Sequence, residues 1–133
     1  DDVESRGLGD VYKRQVLKRD IYEPCLIIYP YSVWGDEVTN LRHRINRHDA
    51  RQAMLFRQFM AGAEVLALDA NGRFLISKRL LAAAQLESRV RFIGLDERIE
   101  LWSAELMDRS FLSDAELAQG MQNLLGHATD DGF

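Results

Sequence analysis

Hydrophobic positions in the first third of the chain follow first a strand pattern and then a helix pattern. Residues 16–19 and 25–29 are short β-rich runs on either side of a turn at Glu23 and Pro24, which predicts a hairpin. Pro30 ends the second strand, because it lacks a backbone N–H and has a fixed φ. Apolar side chains then recur at helical spacing from Val33 to Ile45, and a second helical stripe covers residues 49–60.

The middle of the chain returns to a strand pattern from Glu64. Apolar residues lead into Asp69-Ala70-Asn71-Gly72, which predicts a tight hairpin turn because Asn and Gly tolerate positive φ, with residues 74–76 as the return strand. Ser77 is placed to cap a short helix over residues 78–84.

The last third is predicted as a hairpin followed by a capped helix. Residues 90–94 and 98–102 flank a turn at Asp96-Glu97, and Ser113 with Glu116 has the spacing of a capping box. Gly126 is the expected end of that helix. Residues 25–30 before Trp34 resemble residues 98–103 before Leu106, which indicates a duplicated hairpin-then-helix unit. The fold class is therefore α+β.

This pattern divides the chain into five segments. Residues 1–15 have the look of a translated sequencing adapter or a flexible terminus, so we leave them out of the fold. Residues 16–47 are expected to be what is present of the first unit, which would be incomplete, and residues 48–62 a connecting helix. Residues 63–112 form the second unit, and residues 113–133 the C-terminal helix and tail.

The distribution of charge along the chain bears on its function more than the overall composition does. The 133 residues are 47% hydrophobic and carry a net charge of −4. Between Arg42 and Arg79, however, eight basic side chains accompany three acidic ones, whereas from Glu105 onward six acids accompany one arginine. A basic middle and an acidic tail permit nucleic-acid binding. No run of apolar residues approaches a membrane span, and no secretory leader is apparent.

Candidate catalytic chemistry is sparse. The single cysteine, Cys25, lies in an apolar run and is expected to be buried. His43 and His48 are five residues apart, a poor spacing for one metal site, and no phosphate-binding loop motif occurs. We therefore expect neither an enzyme nor a cofactor or metal. The basic run around these histidines is either a solvated face or a surface that lies against an acidic neighbour.

Several ordered segments resemble the MraZ family. The family pattern Asp-x-x-Gly-Arg, followed by three residues and a proline, is matched by Asp69, Gly72 and Arg73. Residues 23–30 with Trp34 resemble the end of the family's first half, and residues 94–103 the end of its second half. Two positions depart from the pattern: Ser77 replaces the proline, and Asn71 stands where the first-half loop of relatives usually has lysine.

The resemblance implies a pair of AbrB-like swapped-hairpin units joined by helices. It also implies a homo-oligomer, in the form of a ring, that binds double-stranded DNA at direct repeats in the promoter of the bacterial division and cell-wall genes. Such a regulator would be cytoplasmic and nucleoid-associated, without a small-molecule substrate. Two alternatives remain: an AbrB-like antitoxin, or a ring-forming interaction module without direct DNA contact.

The resemblance also assigns roles to particular residues. Asp69 and Gly72 would shape the turn, and Arg73 would project toward DNA, where its planar fork can bond guanine edges or phosphates. The expected DNA contacts are, in full, Asn71, Gly72, Arg73, Lys78 and Arg79. The first half has no Asp-x-x-Gly-Arg loop of its own, so this chain would present one such loop.

Overall fold

A computed structural model of the chain describes residues 14–132, with side chains described except at position 67 and positions 127–132. Within these residues the five strands are β1 (Arg14–Arg19), β2 (Leu26–Pro30), β3 (Glu64–Ala67), β4 (Val90–Leu95) and β5 (Arg98–Ser103). The helices are α1 (Tyr31–Arg44), α2 (Ala50–Ala61), α3 (Lys78–Ala83), α4 (Ala104–Ser110) and α5 (Asp114–Gly132). The strands form one sheet in the order β3-β1-β2-β5-β4.

Two hairpins, each followed by a helix, make up most of this sheet. In the first, β1 pairs antiparallel with β2, and the carboxylate of Asp20 closes the turn by accepting the N–H groups of Tyr22 and Glu23 at 3.0 and 2.8 Å. In the second, β4 pairs with β5. The hairpins meet where β2 pairs antiparallel with β5, and β3 extends the sheet by pairing with β1. This arrangement confirms the α+β class.

The sheet is covered by different helices on its two faces. On one face, the buried side chains lie beneath α3 and come from the strands, from α3 and from the residues that follow it: Leu17, Leu26, Ile28, Leu66, Leu101, Leu80, Ala84 and Leu86. That list of buried side chains is the main core. On the other face, Val16, Ile27 and Tyr29 pack against Trp34 and Val38 of α1, and Phe59 of α2 stacks on Trp34 with ring centroids 5.2 Å apart.

Local capping signals account for where several helices begin. The Ser77 hydroxyl accepts the N–H of Leu80 at 3.3 Å at the start of α3, as predicted. Ser113 and Glu116 form the predicted reciprocal capping box, with bonds of 3.1 and 3.2 Å. These hydrogen bonds lower the pKa of Glu116. Asp49 caps α2 by accepting the N–H of Gln52.

Three sequence-based expectations need correction. β1 begins at Arg14, not Val16, because Arg14 pairs with Ala67 and Gln15 with Leu66; residues 1–13 lie outside the described residues. Residues 74–76 are not a strand: Phe74 and Ile76 pack onto the main core instead of pairing with β3. Finally, α5 does not end at Gly126 but continues to Gly132. The division into five segments remains a prediction.

Candidate nucleic-acid interface

The loop from Asp69 to Arg73 is closed by hydrogen bonds between its two ends. One carboxylate oxygen of Asp69 accepts the backbone N–H groups of both Asn71 and Arg73, each at 2.8 Å. The backbone N–H of Asp69 donates to the carbonyl of Arg73 at 2.9 Å, and that of Gly72 donates to the carbonyl of Asp69 at 3.0 Å. The loop is therefore held in one shape by its own residues, without a paired return strand.

Gly72 is the residue whose conformation the loop requires. Its φ is +76°, in the left-handed region, where a side chain would be strained. A Cβ built at this position would meet nothing within 4 Å, so the requirement comes from the backbone angle and not from lack of space.

The side chain of Arg73 is exposed and projects from this closed loop. Among the residues that the structure describes, no acid or carbonyl lies within ion-pair or hydrogen-bond distance of its guanidinium. Its neighbour Phe74 packs onto the main core and anchors the loop, whereas the side chain of Leu75 is 92% exposed. Asp69, Gly72, Arg73, Phe74 and Leu75 together line an open concavity. A free cation on a rigid loop is suited to bind an anion.

Lys78 and Arg79, at the start of α3, differ in their availability. Lys78 is exposed. The Arg79 guanidinium is bound by Glu64 of β3 at 2.6 Å and lies 3.4 Å from the carbonyl of Gly62. The same Glu64 oxygen accepts the Ser77 hydroxyl at 2.8 Å. Thus one nitrogen of Arg79 fastens α3 to β3, and only the remaining donors of Arg79 can contact a ligand.

Glu64 is a site residue that sequence reasoning missed. The sequence pattern predicted Glu64 only as the start of a strand, yet its carboxylate binds both Ser77 and Arg79. Its partners lie 13 and 15 residues further along the chain, a separation that no helix or hairpin period reveals. The only available signal was that Glu64 begins a strand, which fixes its position relative to the helix that follows.

The chemical groups that a catalytic or metal site would need are not gathered in the described part of the chain. Cys25 is fully buried, as predicted, and burial raises the pKa of its thiol to about 12, so the thiol is protonated at neutral pH. No cluster of three or more His, Cys, Asp or Glu side chains among the described residues could hold a metal ion. No helix among them is long and apolar enough to span a membrane.

Comparison with known proteins agrees on one family. A family model described as "MraZ protein, putative antitoxin-like" matches residues 59–123, which include the Asp69–Arg73 loop. A protein of Phocaeicola vulgatus named "Transcriptional regulator MraZ" is 43% identical over 111 residues, covering 84% of this chain and 72% of that protein. A protein of the same name from Bacteroides thetaiotaomicron is 36% identical over 113 residues, covering 85% and 72%.

Proposed function

The chain belongs to the MraZ family of transcriptional regulators, and on this premise we propose that it is a sequence-specific DNA-binding regulator of the bacterial division and cell-wall genes. Its ligand would be double-stranded DNA carrying direct repeats in the promoter of those genes. Its place would be the cytoplasm, associated with the nucleoid. The relatives are named as regulators and not as enzymes, in agreement with a binding function.

The observation that carries the proposal is the closed loop with an unpaired arginine. A side chain that recognises a base in the major groove must hold its hydrogen-bond donors in a fixed direction. An arginine distinguishes guanine from the other bases because its two N–H groups reach O6 and N7 together. Asp69 fixes the loop through two backbone N–H groups, and Arg73 extends from it without an internal partner among the described residues. Lys78 would add a phosphate contact that positions the protein without reading sequence.

Binding as an oligomer would supply the affinity that one loop lacks. Several loops on one assembly can bind neighbouring repeats. Once one loop is bound, the others are held close to the next repeats, so their effective concentration near the DNA is high. Exposed apolar side chains on α5, namely Leu117, Met121 and Leu124, offer a surface through which copies could associate. Their spacing of four and three residues places them on one side of the helix.

The test is fluorescence anisotropy with a labelled duplex carrying the direct repeats, against a scrambled duplex at the same salt concentration. We expect a clear preference for the repeats, and Arg73→Ala should reduce affinity for them by about 10- to 100-fold, the value of one bidentate base contact. Arg91→Ala is the matched control, since Arg91 is exposed and paired with Asp108 at 3.6 Å. Equal binding of wild type to both duplexes would contradict the proposal.

Oligomer mass should be measured on the same samples by light scattering. Arg73→Ala should leave the mass unchanged, because the side chain contacts no described part of the core. A variant that loses both mass and DNA binding would assign Arg73 a structural role.

An antitoxin is the second candidate, favoured by the wording of the matching family model. An antitoxin would bind a toxin protein, so affinity purification of the tagged chain from its host should recover a stoichiometric small partner. Recovery of the chain alone, together with preference for the repeats, would exclude this candidate.

A further inference from the structure

A second basic surface lies at the turn between α1 and α2, on residues other than those of the Asp69–Arg73 loop. We call it the basic tip. Its cationic and titratable side chains, all exposed, are Arg42, His43, Arg44, Arg47, His48 and Arg51. The one acid within this stretch, Asp49, caps α2 through the N–H of Gln52 at 3.0 Å.

The arginines of the basic tip have no carboxylate partner among the described residues, unlike four arginines elsewhere in the chain. Each described ion pair joins an arginine outside the tip to a carboxylate: Arg79 to Glu64, Arg89 to Glu105, Arg91 to Asp108 and Arg98 to Glu37. Among the described residues, no acid lies within 4 Å of a tip guanidinium. No described carboxylate therefore neutralises this surface, which leaves its positive charge available to an anion.

Helix stability explains only one side of the basic tip. Arg42, His43 and Arg44 occupy the last turn of α1, where a cation interacts favourably with the negative end of the helix dipole. Arg47 and Arg51 flank the start of α2, where the same dipole disfavours a cation, and the N-cap Asp49 is the only acid there because the first turn contains none. Positive charge is thus present at the α2 end although local stability opposes it, as expected of a binding surface.

The basic tip is also built to hold its shape. The N–H of Asn46 donates to the side-chain oxygen of Gln52 at 2.6 Å, and the N–H of His48 donates to the side chain of Asn46 at 2.9 Å. The guanidinium of Arg42 lies over the ring of Phe56, 5.9 Å from its centroid. These contacts fix the connection between the helices, so binding an anion there would order little new structure.

We propose that the basic tip binds the phosphate backbone of double-stranded DNA, as a second contact that adds affinity without reading sequence. This rests on the proposed function, since it assigns the tip to the same duplex that the Asp69–Arg73 loop reads. A regular array of phosphates is the anion that several closely spaced, unpaired arginines match best.

The experiment compares two variants that remove the same charge. The tip variant is Arg44→Gln/Arg47→Gln/Arg51→Gln, and the control is Arg89→Gln/Arg91→Gln/Arg98→Gln, whose arginines are already paired with acids. Affinity for the repeat duplex and the scrambled duplex is measured by anisotropy from low to high salt. The tip variant should reduce the slope of log affinity against log salt by about 2 to 3, because each lost phosphate contact removes about 0.9.

The tip variant should weaken both duplexes by the same factor and so keep the preference for the repeats, whereas the control should keep the wild-type slope. A third variant, Arg44→Lys/Arg47→Lys/Arg51→Lys, should retain most of the slope because lysine also contacts phosphates. Circular dichroism melting checks that every variant folds.

An unchanged slope and affinity in the tip variant would overturn the proposal. An unchanged slope with a lower oligomer mass would also overturn it, and would place an acidic neighbouring copy against the tip. If wild type binds both duplexes equally and the tip variant still has a lower slope, the proposal of sequence-specific regulation is wrong, but the proposed phosphate contact of the basic tip is supported. If wild type binds neither duplex at low salt, both proposals are wrong.

Discussion

The two hairpins of the sheet are alike in pattern but differ in what covers them. On the face beneath α3, Leu17 of the first hairpin is fully buried because β3 lies beside β1 and α3 lies above it. On the same face of the second hairpin, Phe92 pairs with Leu101 across the strands but is 60% exposed, since β4 is the edge of the sheet. We call these the covered half and the open half.

This difference teaches that burial in a sheet comes from neighbouring elements and not from the hairpin itself. Val90, Phe92 and Ile99 of β4 and β5 lie on the same face as the buried Leu101, yet these three side chains remain exposed. An open edge strand with an apolar face is a surface through which chains associate. The covered half should therefore determine stability, and the open half should influence association.

The largest expected effect is from Leu17→Ala in the covered half. Removing a fully buried leucine side chain from the main core should lower the free energy of unfolding by about 2–5 kcal/mol. Urea denaturation measures it, with Val90→Ala in the open half as the matched truncation. Equal losses in the two variants would show that the halves contribute alike.

A moderate effect is expected from Ser77→Ala, which weakens the attachment of α3 over the covered half. The hydroxyl of Ser77 both caps the helix and donates to Glu64, so its loss should lower the free energy of unfolding by about 1–2 kcal/mol. Ser32→Ala, an exposed serine in the first turn of α1, is the control. A change below about 0.3 kcal/mol would mean that α3 is held by its apolar contacts alone.

A pH effect is expected from Lys18 of β1, whose ammonium lies 4.6 Å from the centre of the Phe59 ring. Burial lowers the pKa of Lys18, and the nearby Asp20 opposes that shift. Because the folded chain then releases this proton more readily than the unfolded chain, Lys18 should contribute a rise in the free energy of unfolding as pH increases toward about 10.4, the ordinary pKa of lysine. The Cys25 thiol, whose pKa is raised in the folded chain, contributes a fall over the same range, so the effect of Lys18 is measured as the difference between wild type and a variant without it.

Urea titrations between pH 8 and 10 on wild type and Lys18→Met check this prediction. As pH increases, wild type should gain stability relative to Lys18→Met, whereas Lys78→Met, which alters an exposed lysine, should follow wild type. The same pH dependence in all three chains would show that Lys18 does not contribute to it.

The smallest effect on unfolding is expected from Phe92→Ser in the open half. An exposed side chain on an edge strand contributes little to the core, so the free energy of unfolding should change by no more than about 0.5 kcal/mol. If the open half is an association surface, light scattering should detect a lower oligomer mass in the same variant. A large loss of stability with unchanged mass would refute the distinction between the halves.

Much of the candidate site was predictable because its geometry is local. Asp69, Gly72 and Arg73 lie within five residues, and the bonds that close their loop depend on side-chain chemistry and a single positive φ. The return strand over residues 74–76 was predicted wrongly, because a tight turn indicates that the chain changes direction but not that the returning segment pairs with the free edge of β3. That edge of β3 is left unpaired because Phe74 and Ile76 turn into the core instead.

Local sequence patterns were enough to predict the hairpins β1-β2 and β4-β5, the helices, the caps at Ser77 and Ser113, and the loop that presents Arg73. Each depends on residues a few positions apart, whose spacing and hydrogen-bonding groups can be read from the local sequence. Tertiary structure alone decided that β2 joins β5, that Glu64 holds Arg79, and that α3 covers one half of the sheet. Those contacts join elements distant in the chain, so they depend on packing and burial, which no local pattern encodes.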